Sequence, residues 1–207
     1  MKTTSNKSLL FLLSALMVLT MAFVPASQVT PIAVTGLAMT ANSALSVQSV
    51  TASNDSGKQL ARISAGTLFD FPVIQQPSGS AGFVSTKVDT FTQFGMASSY
   101  GSLGVLAHNY LAGKYFGYLY SGSVIKVTFT DGSTKNYTVS IVKQYQALSP
   151  ESAYSQFLDL NNSGQILSST DLFLNTFGKN GALVLQTCID KNGNSSWGRL
   201  FIIAYAS

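Results

Sequence analysis

The chain has one cysteine, one histidine, one tryptophan and two arginines in 207 residues, and only 10% of it is charged. Each scarcity excludes something. A single cysteine cannot close an internal disulfide. One His and one Cys cannot fill a tetrahedral metal site without carboxylates at matching spacing, so no metal or other cofactor is expected. Low charge and 46% hydrophobic residues exclude a coiled coil and a largely disordered chain. The formal charge is +4, but Lys2 and Lys7 supply part of it; the remaining ten Lys/Arg face eight Asp/Glu. With no downstream cluster of Lys or Arg, no nucleic-acid partner is expected.

What is present is apolar, β-branched and aromatic, with Gly, Ser, Thr and Asn between the apolar runs. That mix predicts a mainly all-β domain with many turns. The N-terminus has a different texture. Lys2 and Lys7 precede an apolar run over 9–24, and Val24-Pro25-Ala26 offers a cleavage point. The run is roughly 16 residues, against the ~20 that span a bilayer comfortably. Residues 1–26 therefore read as a signal peptide or as an uncleaved membrane anchor through 9–24. Both place the remainder outside the cytoplasm, secreted or held at the membrane. Residues 27–66, rich in Ser, Thr and Ala, read as a linker, and 67–207 as the folded domain.

Within that domain, short apolar runs between turn clusters predict strands at 71–74, 82–86, 103–108, 124–130, 135–143, 182–187 and 200–205. Asp131-Gly132, between two alternating runs, predicts a hairpin. Pro150 to Ala153, with Ser149 as N-cap, predicts a short helix, and 169–177 another. The runs Ala182-Leu183-Val184-Leu185 and Leu200-Phe201-Ile202-Ile203-Ala204 lack alternation and predict strands buried on both faces. The polar segment 189–198 between them reads as a loop.

Three chemically capable groups stand at the ends of apolar runs: His108, Cys188 and Arg199. Singly, each also fits an ordinary boundary residue, and a lone Cys fits a small core residue. Together they supply a kit for acyl transfer. A thiolate attacks a carbonyl. A guanidinium stabilises the oxyanion, and an imidazole gives a proton to the leaving amine.

These residues carry a resemblance. Leu183-Val184-Leu185-Gln186-Thr187-Cys188 resembles the Thr-Leu-x-Thr-Cys signature of sortases. Gly198-Arg199-Leu200-Phe201-Ile202-Ile203-Ala204 is similar to the sortase strand opened by the active-site arginine, and Gly104-Val105-Leu106-Ala107-His108-Asn109 to the strand ending in the histidine. The likeness extends over roughly 68–206. Val184 stands where the signature has Thr, and Ala107 where the family has Gly before its histidine; the subclass stays open. The resemblance implies a closed, mostly antiparallel barrel of about eight strands. It implies Cys188 as nucleophile, His108 as general acid and base, and Arg199 as oxyanion-stabilising group. Thr187 would help to shape the substrate groove, and the segment 149–180 would build one of its walls. The implied partners are an exported protein bearing a C-terminal sorting signal and an amine acceptor at the cell surface.

Asp190-Lys191-Asn192-Gly193-Asn194-Ser195 alternates oxygen donors but lacks the full calcium-loop pattern and its bidentate Glu, and reads as a polar turn. Trp197, beside it, packs either over the groove or over the barrel end. Three functions stay open: a transpeptidase, a thiol hydrolase on the same fold, and a non-catalytic surface barrel for adhesion or assembly.

Overall fold

Alternating apolar and polar side chains, punctuated by left-handed turns, lay the chain down as ten strands. The computed structural model describes residues 55–162 and 164–207. The expected signal or anchor at 1–26, and the expected linker as far as residue 54, lie outside the described residues. The strands are β1 (Leu60–Ala65), β2 (Phe69–Gln75), β3 (Phe91–Phe94), β4 (Leu103–Leu106), β5 (Val124–Phe129), β6 (Thr134–Ala147), β7 (Phe157–Asp159), β8 (Ile166–Leu167), β9 (Ala182–Lys191) and β10 (Asn194–Ala206). Two short α-helices, α1 (Gly95–Ser98) and α2 (Ser169–Thr176), and two 3-10 helices, Asp55–Gly57 and Ala112–Tyr118, complete the described residues.

The sheet order is β10-β9-β4-β3-β2-β1-β5-β6-β7-β8, and β10 also pairs with β6. That pairing closes eight strands into a barrel, with β7 and β8 appended outside it. Two neighbours, β2–β3 and β4–β9, are parallel, and the rest are antiparallel. The mainly all-β closed barrel expected from the sequence is the observed fold.

The barrel wall is buried on both sides where α2, β7 and β8 cover it. Inward-facing Leu183, Leu185, Leu200 and Ile202 join a core that includes Ile63, Phe91, Phe116 and Val127. Outward-facing Val184, Phe201 and Ile203 join a second cluster with Phe157, Leu172 and Phe177. Continuous apolarity at 182–185 and 200–204 thus has the cause expected. Full burial of a Leu or Ile side chain contributes about 1.5–3 kcal/mol, so these two strands are a main source of the fold's stability.

Several expectations change. Leu60–Ala65 is a wall strand between β2 and β5, within the segment read as linker. Residues 82–86 form no strand; the backbone N–H of Ser85 bonds the Thr92 hydroxyl at 2.9 Å rather than a ladder. Residues 150–153 form a turn closed by Ser152 N–H to the Ser149 carbonyl at 2.9 Å, without continuing as a helix. The second predicted helix is present as α2, where the Ser168 hydroxyl caps the N–H of Asp171 at 3.0 Å. The Asp131-Gly132 turn joins β5 to β6, with Gly132 at φ 82. The segment 189–198 is largely strand. Asn192 (φ 56) and Gly193 (φ 78) form the two-residue turn between β9 and β10, as a left-handed Asn-Gly pair favours.

Candidate active site

The three groups lie on, or just beyond, three adjacent strands. In the β9–β10 ladder Arg199 lies directly opposite Cys188. Directly opposed residues hold their Cβ atoms ~4.5–5.5 Å apart. On the other side of β9, the parallel register pairs Leu106 with Gln186. The next N–H, that of Ala107, continues the ladder to the Gln186 carbonyl at 3.2 Å. The ladder ends there, and His108 follows two residues beyond the end of β4. Cys188 thus has Arg199 opposite it on β10, and the segment leading to His108 runs on from β4 on its other side.

Cys188 and Arg199 share the outer face. On β9, Leu183 and Leu185 face inward and Val184 outward. Alternation then turns Gln186 and Cys188 outward. On β10, outward-facing Phe201 puts Arg199 on the same side. Each of the three side chains is half-buried.

A cleft of about 410 Å³ opens on this face. Gln186, Arg199 and Phe201 form its floor, and Phe157, Phe173 and Phe177 stand on its walls. These walls come from β7, α2 and the residue following α2, within the 149–180 segment that the resemblance assigned to the groove. Five of its lining residues are phenylalanines, and its polar side chains are Ser152, Ser169, Thr176, Gln186 and Arg199. A volume of this size is in the ordinary range for a ligand site.

Arg199 is aimed by its own hairpin. Its Nη1 donates to the carbonyls of Ser196 and Gly198, both at 2.9 Å. Both bonds use one terminal nitrogen, so Nε and the other terminal nitrogen can still receive a ligand oxygen. The guanidinium carbon lies 5.9 Å from the Phe157 ring centroid. Among the described residues it makes no ion pair with a carboxylate. On β6 its other ladder neighbour is Tyr145, which is only 2% exposed. Burial first, and the negative charge of Asp159 second, push the Tyr145 phenol up to about 12. Arg199 therefore sits beside a neutral phenol, with the nearby Asp159 carboxylate held by Lys143 at 3.1 Å.

His108 is fixed through its backbone. Its carbonyl accepts from the N–H groups of Leu111 and Gly113, both at 3.0 Å. The imidazole stacks on the Tyr110 ring, with centroids 5.1 Å apart and planes 24° from parallel. Next to it, the Asn109 amide donates to the Ser195 carbonyl at 3.0 Å. That bond joins the histidine segment to the β9–β10 hairpin.

Thr187 faces away from the cleft. It is 3% exposed, and its hydroxyl donates to the Ala107 carbonyl at 2.8 Å. This corrects a direct groove-lining role: alternation turns Thr187 inward because Cys188 turns outward. It ties the nucleophile strand to the backbone just before His108. Gly113 completes the contact, since a Cβ there would overlap the Thr187 hydroxyl and lie 2.7 Å from the His108 carbonyl. Trp197 sits in an irregular stretch of β10 between the Asn194–Lys191 and Gly198–Ile189 pairs, with the Lys191 ammonium 4.5 Å from its ring. It is not among the residues lining the cleft. Sequence reasoning missed Gln186, Phe157, Tyr145, Asn109 and Tyr110. For Gln186 a signal existed: it stands two residues before Cys188 and interrupts an apolar strand.

No model of a known protein family matches the chain, and no curated protein matches it. Among solved structures, sortase C from Clostridium perfringens SM101 is similar over 73% of this chain and 71% of that chain, at 14% identity and a TM-score of 0.44. A lid mutant of sortase A from Corynebacterium diphtheriae is similar over 72% and 69%, at 14% identity and a TM-score of 0.45. Sortase C1 from Streptococcus agalactiae is similar over 73% and 68%, at 16% identity and a TM-score of 0.44. In its own strand order the chain closes eight strands through the β6–β10 pair, the closed barrel expected from its sequence.

Proposed function

We propose that this protein is a cysteine transpeptidase, cleaving a sorting-signal peptide of an exported protein and passing the acyl group to an amine at the cell surface. The observation that carries this reading is Arg199 directly opposite Cys188 in the β9–β10 ladder, with His108 two residues beyond the end of the neighbouring strand β4 and Arg199 lining a cleft walled by Phe157, Phe173 and Phe177. The Cys188 thiolate adds to the carbonyl carbon of the scissile peptide, and a C–S bond forms. Negative charge collects on the carbonyl oxygen, where the remaining Arg199 donors stabilise it. The His108 imidazolium gives its proton to the leaving amine as the C–N bond breaks, leaving a thioester. The acceptor amine then adds to the thioester carbonyl and loses a proton to His108. Collapse forms the new amide and releases the thiolate. Apolar side chains of the signal peptide occupy the cleft between Phe157, Phe173 and Phe177. The N-terminal segment 1–26 exports the domain or anchors it, so that donor and acceptor are met outside the cytoplasm.

The test uses the full chain with a set of exported-protein C-terminal peptides, with and without a small amine. The expected result is a covalent peptide adduct on Cys188 by mass spectrometry, and an amide product that appears only with the amine. Cleavage that ignores the amine would make the protein a hydrolase. Absence of any adduct at Cys188 would sink the catalytic reading.

A further inference from the structure

A second concavity, of about 440 Å³, lies between the β1–β2 turn and the start of β5. It is separate in composition from the aromatic cleft and shares none of its residues. Two large aromatic side chains flank it fully in solvent: Tyr118 and Tyr120 are each 70% exposed. The residue between them, Leu119, is extended (φ −84, ψ 137) and only 6% exposed. Leu119 therefore anchors the segment in the core and turns both tyrosines outward, ~6.6 Å apart along the chain. The segment is held rigid. The N–H of Ser123 bonds the Tyr120 carbonyl at 2.9 Å, the N–H of Tyr120 bonds the Ser123 hydroxyl oxygen at 3.1 Å, and the N–H of Gly122 bonds the Val139 carbonyl at 2.8 Å.

We infer that this concavity binds a neutral saccharide. The remaining lining combines Thr67, Ser123 and Gly66, the last at φ 51 with open space around its Cβ position, with the apolar Ala65, Leu68 and Val124. None of the lining residues is charged. Pyranose rings present weakly positive C–H groups on one face and hydroxyls at the edge. The C–H face suits the negative face of a tyrosine ring, and the edge suits Thr67, Ser123 and exposed backbone. Nucleic-acid bases also stack on aromatics, but a site for them carries Lys or Arg for the phosphates, and this one does not. A protein partner calls for a broader patch with a desolvated apolar centre. Rigid presentation of two rings limits the entropy lost on binding.

The site stands independently of the transpeptidase reading. Binding of cellotetraose, maltotetraose and chitotetraose to the full chain is measured by isothermal titration calorimetry, in wild type, Cys188→Ala and the double variant Tyr118→Ala/Tyr120→Ala. The expected result is saturable binding of at least one tetrasaccharide, at least tenfold weaker in the double variant and unchanged in Cys188→Ala. Matching melting temperatures show that the exposed substitutions leave the fold intact. Failure of all three sugars to bind, or binding indifferent to both tyrosines, overturns the inference. So does self-association seen by sedimentation that depends on the tyrosines and ignores the sugars. An inactive catalytic centre with intact tyrosine-dependent binding would refute the transpeptidase reading alone.

Discussion

Replacing the Thr187 hydroxyl by a methyl group tests whether the barrel interior sets the geometry at its rim. In Thr187→Val the side-chain volume is nearly kept, but the 2.8 Å bond to the Ala107 carbonyl is lost. A methyl carbon and a carbonyl oxygen rest ~3.3–3.6 Å apart. The two strands must therefore separate at this point by roughly 0.5–0.8 Å, or the substituted side chain must rotate toward Gly113, where space is already short. Leaving a buried acceptor poorly satisfied costs about 1–3 kcal/mol. In a domain of this size that lowers the melting temperature by roughly 3–10 °C. The displacement falls on Ala107, one residue before His108. A misplacement near 1 Å at a catalytic group costs on the order of 100-fold in rate. The expected outcome is a folded, less stable protein with about 10- to 100-fold slower adduct formation. Thr187→Ser keeps the hydroxyl and should stay within a few-fold of wild type. Calorimetry and the rate of adduct formation by mass spectrometry measure the two effects on one sample. A Thr187→Val protein as fast as wild type would refute the link from this hydroxyl to His108, and so would a Thr187→Ser protein as slow as Thr187→Val.

Other consequences are simpler to check. Gly198→Ala places a Cβ 2.5 Å from the Tyr145 carbonyl, so β10 must shift beside Arg199; refolding yield and activity should both fall, whereas Gly57→Ala, with open space at its Cβ position and away from the cleft, should change neither. Arg199→Lys removes the guanidinium fork and should lower the rate of acyl-enzyme formation by about 100-fold or more with little change in melting temperature. Burial pushes the phenols of Tyr137 and Tyr145 up to about 12, from an ordinary value near 10. Folded-state values above unfolded ones mean that their contribution is complete below pH ~10 and is lost as pH rises toward 12. Denaturant titrations at pH 9, 10 and 11 should show midpoints falling over the last interval, less steeply in Tyr145→Phe.

The sequence exposed the interior of the barrel better than its seams. Unbroken apolar runs at 182–185 and 200–204 announced strands covered on both sides, because both faces of the wall are packed. Strand β1 was hidden because Ala61, Ser64 and Ala65 gave it the small-residue texture of the spacer before it. Its core contribution rests on only Leu60, Ile63 and Ala65. The β9–β10 turn was masked by the polar residues around Asn192-Gly193, although the same logic that marked Asp131-Gly132 applied there. The motif residues His108, Cys188 and Arg199 were legible one by one. The common face of Cys188 and Arg199 follows from alternation once the strands are known. That β4 lies parallel to β9, some 80 residues away in sequence, is a tertiary fact without a local pattern. It is this pairing that brings the end of β4, two residues before the histidine, to the strand that carries the cysteine.

The β9–β10 hairpin has a second consequence. It fills the gap between β4 and β6, so it is the part that turns an open, curled sheet into a ring. Until it docks, both of those strands are bare edges able to recruit strands from other chains. Pairings over such sequence distances form slowly. The same insertion brings Cys188 and Arg199 to the site. A chain still emerging thus holds an unassembled thiol and two sticky borders together, and loses both hazards in a single closing step. Readiness to react and resistance to aggregation arrive at the same moment, and truncation of the last strand should forfeit both.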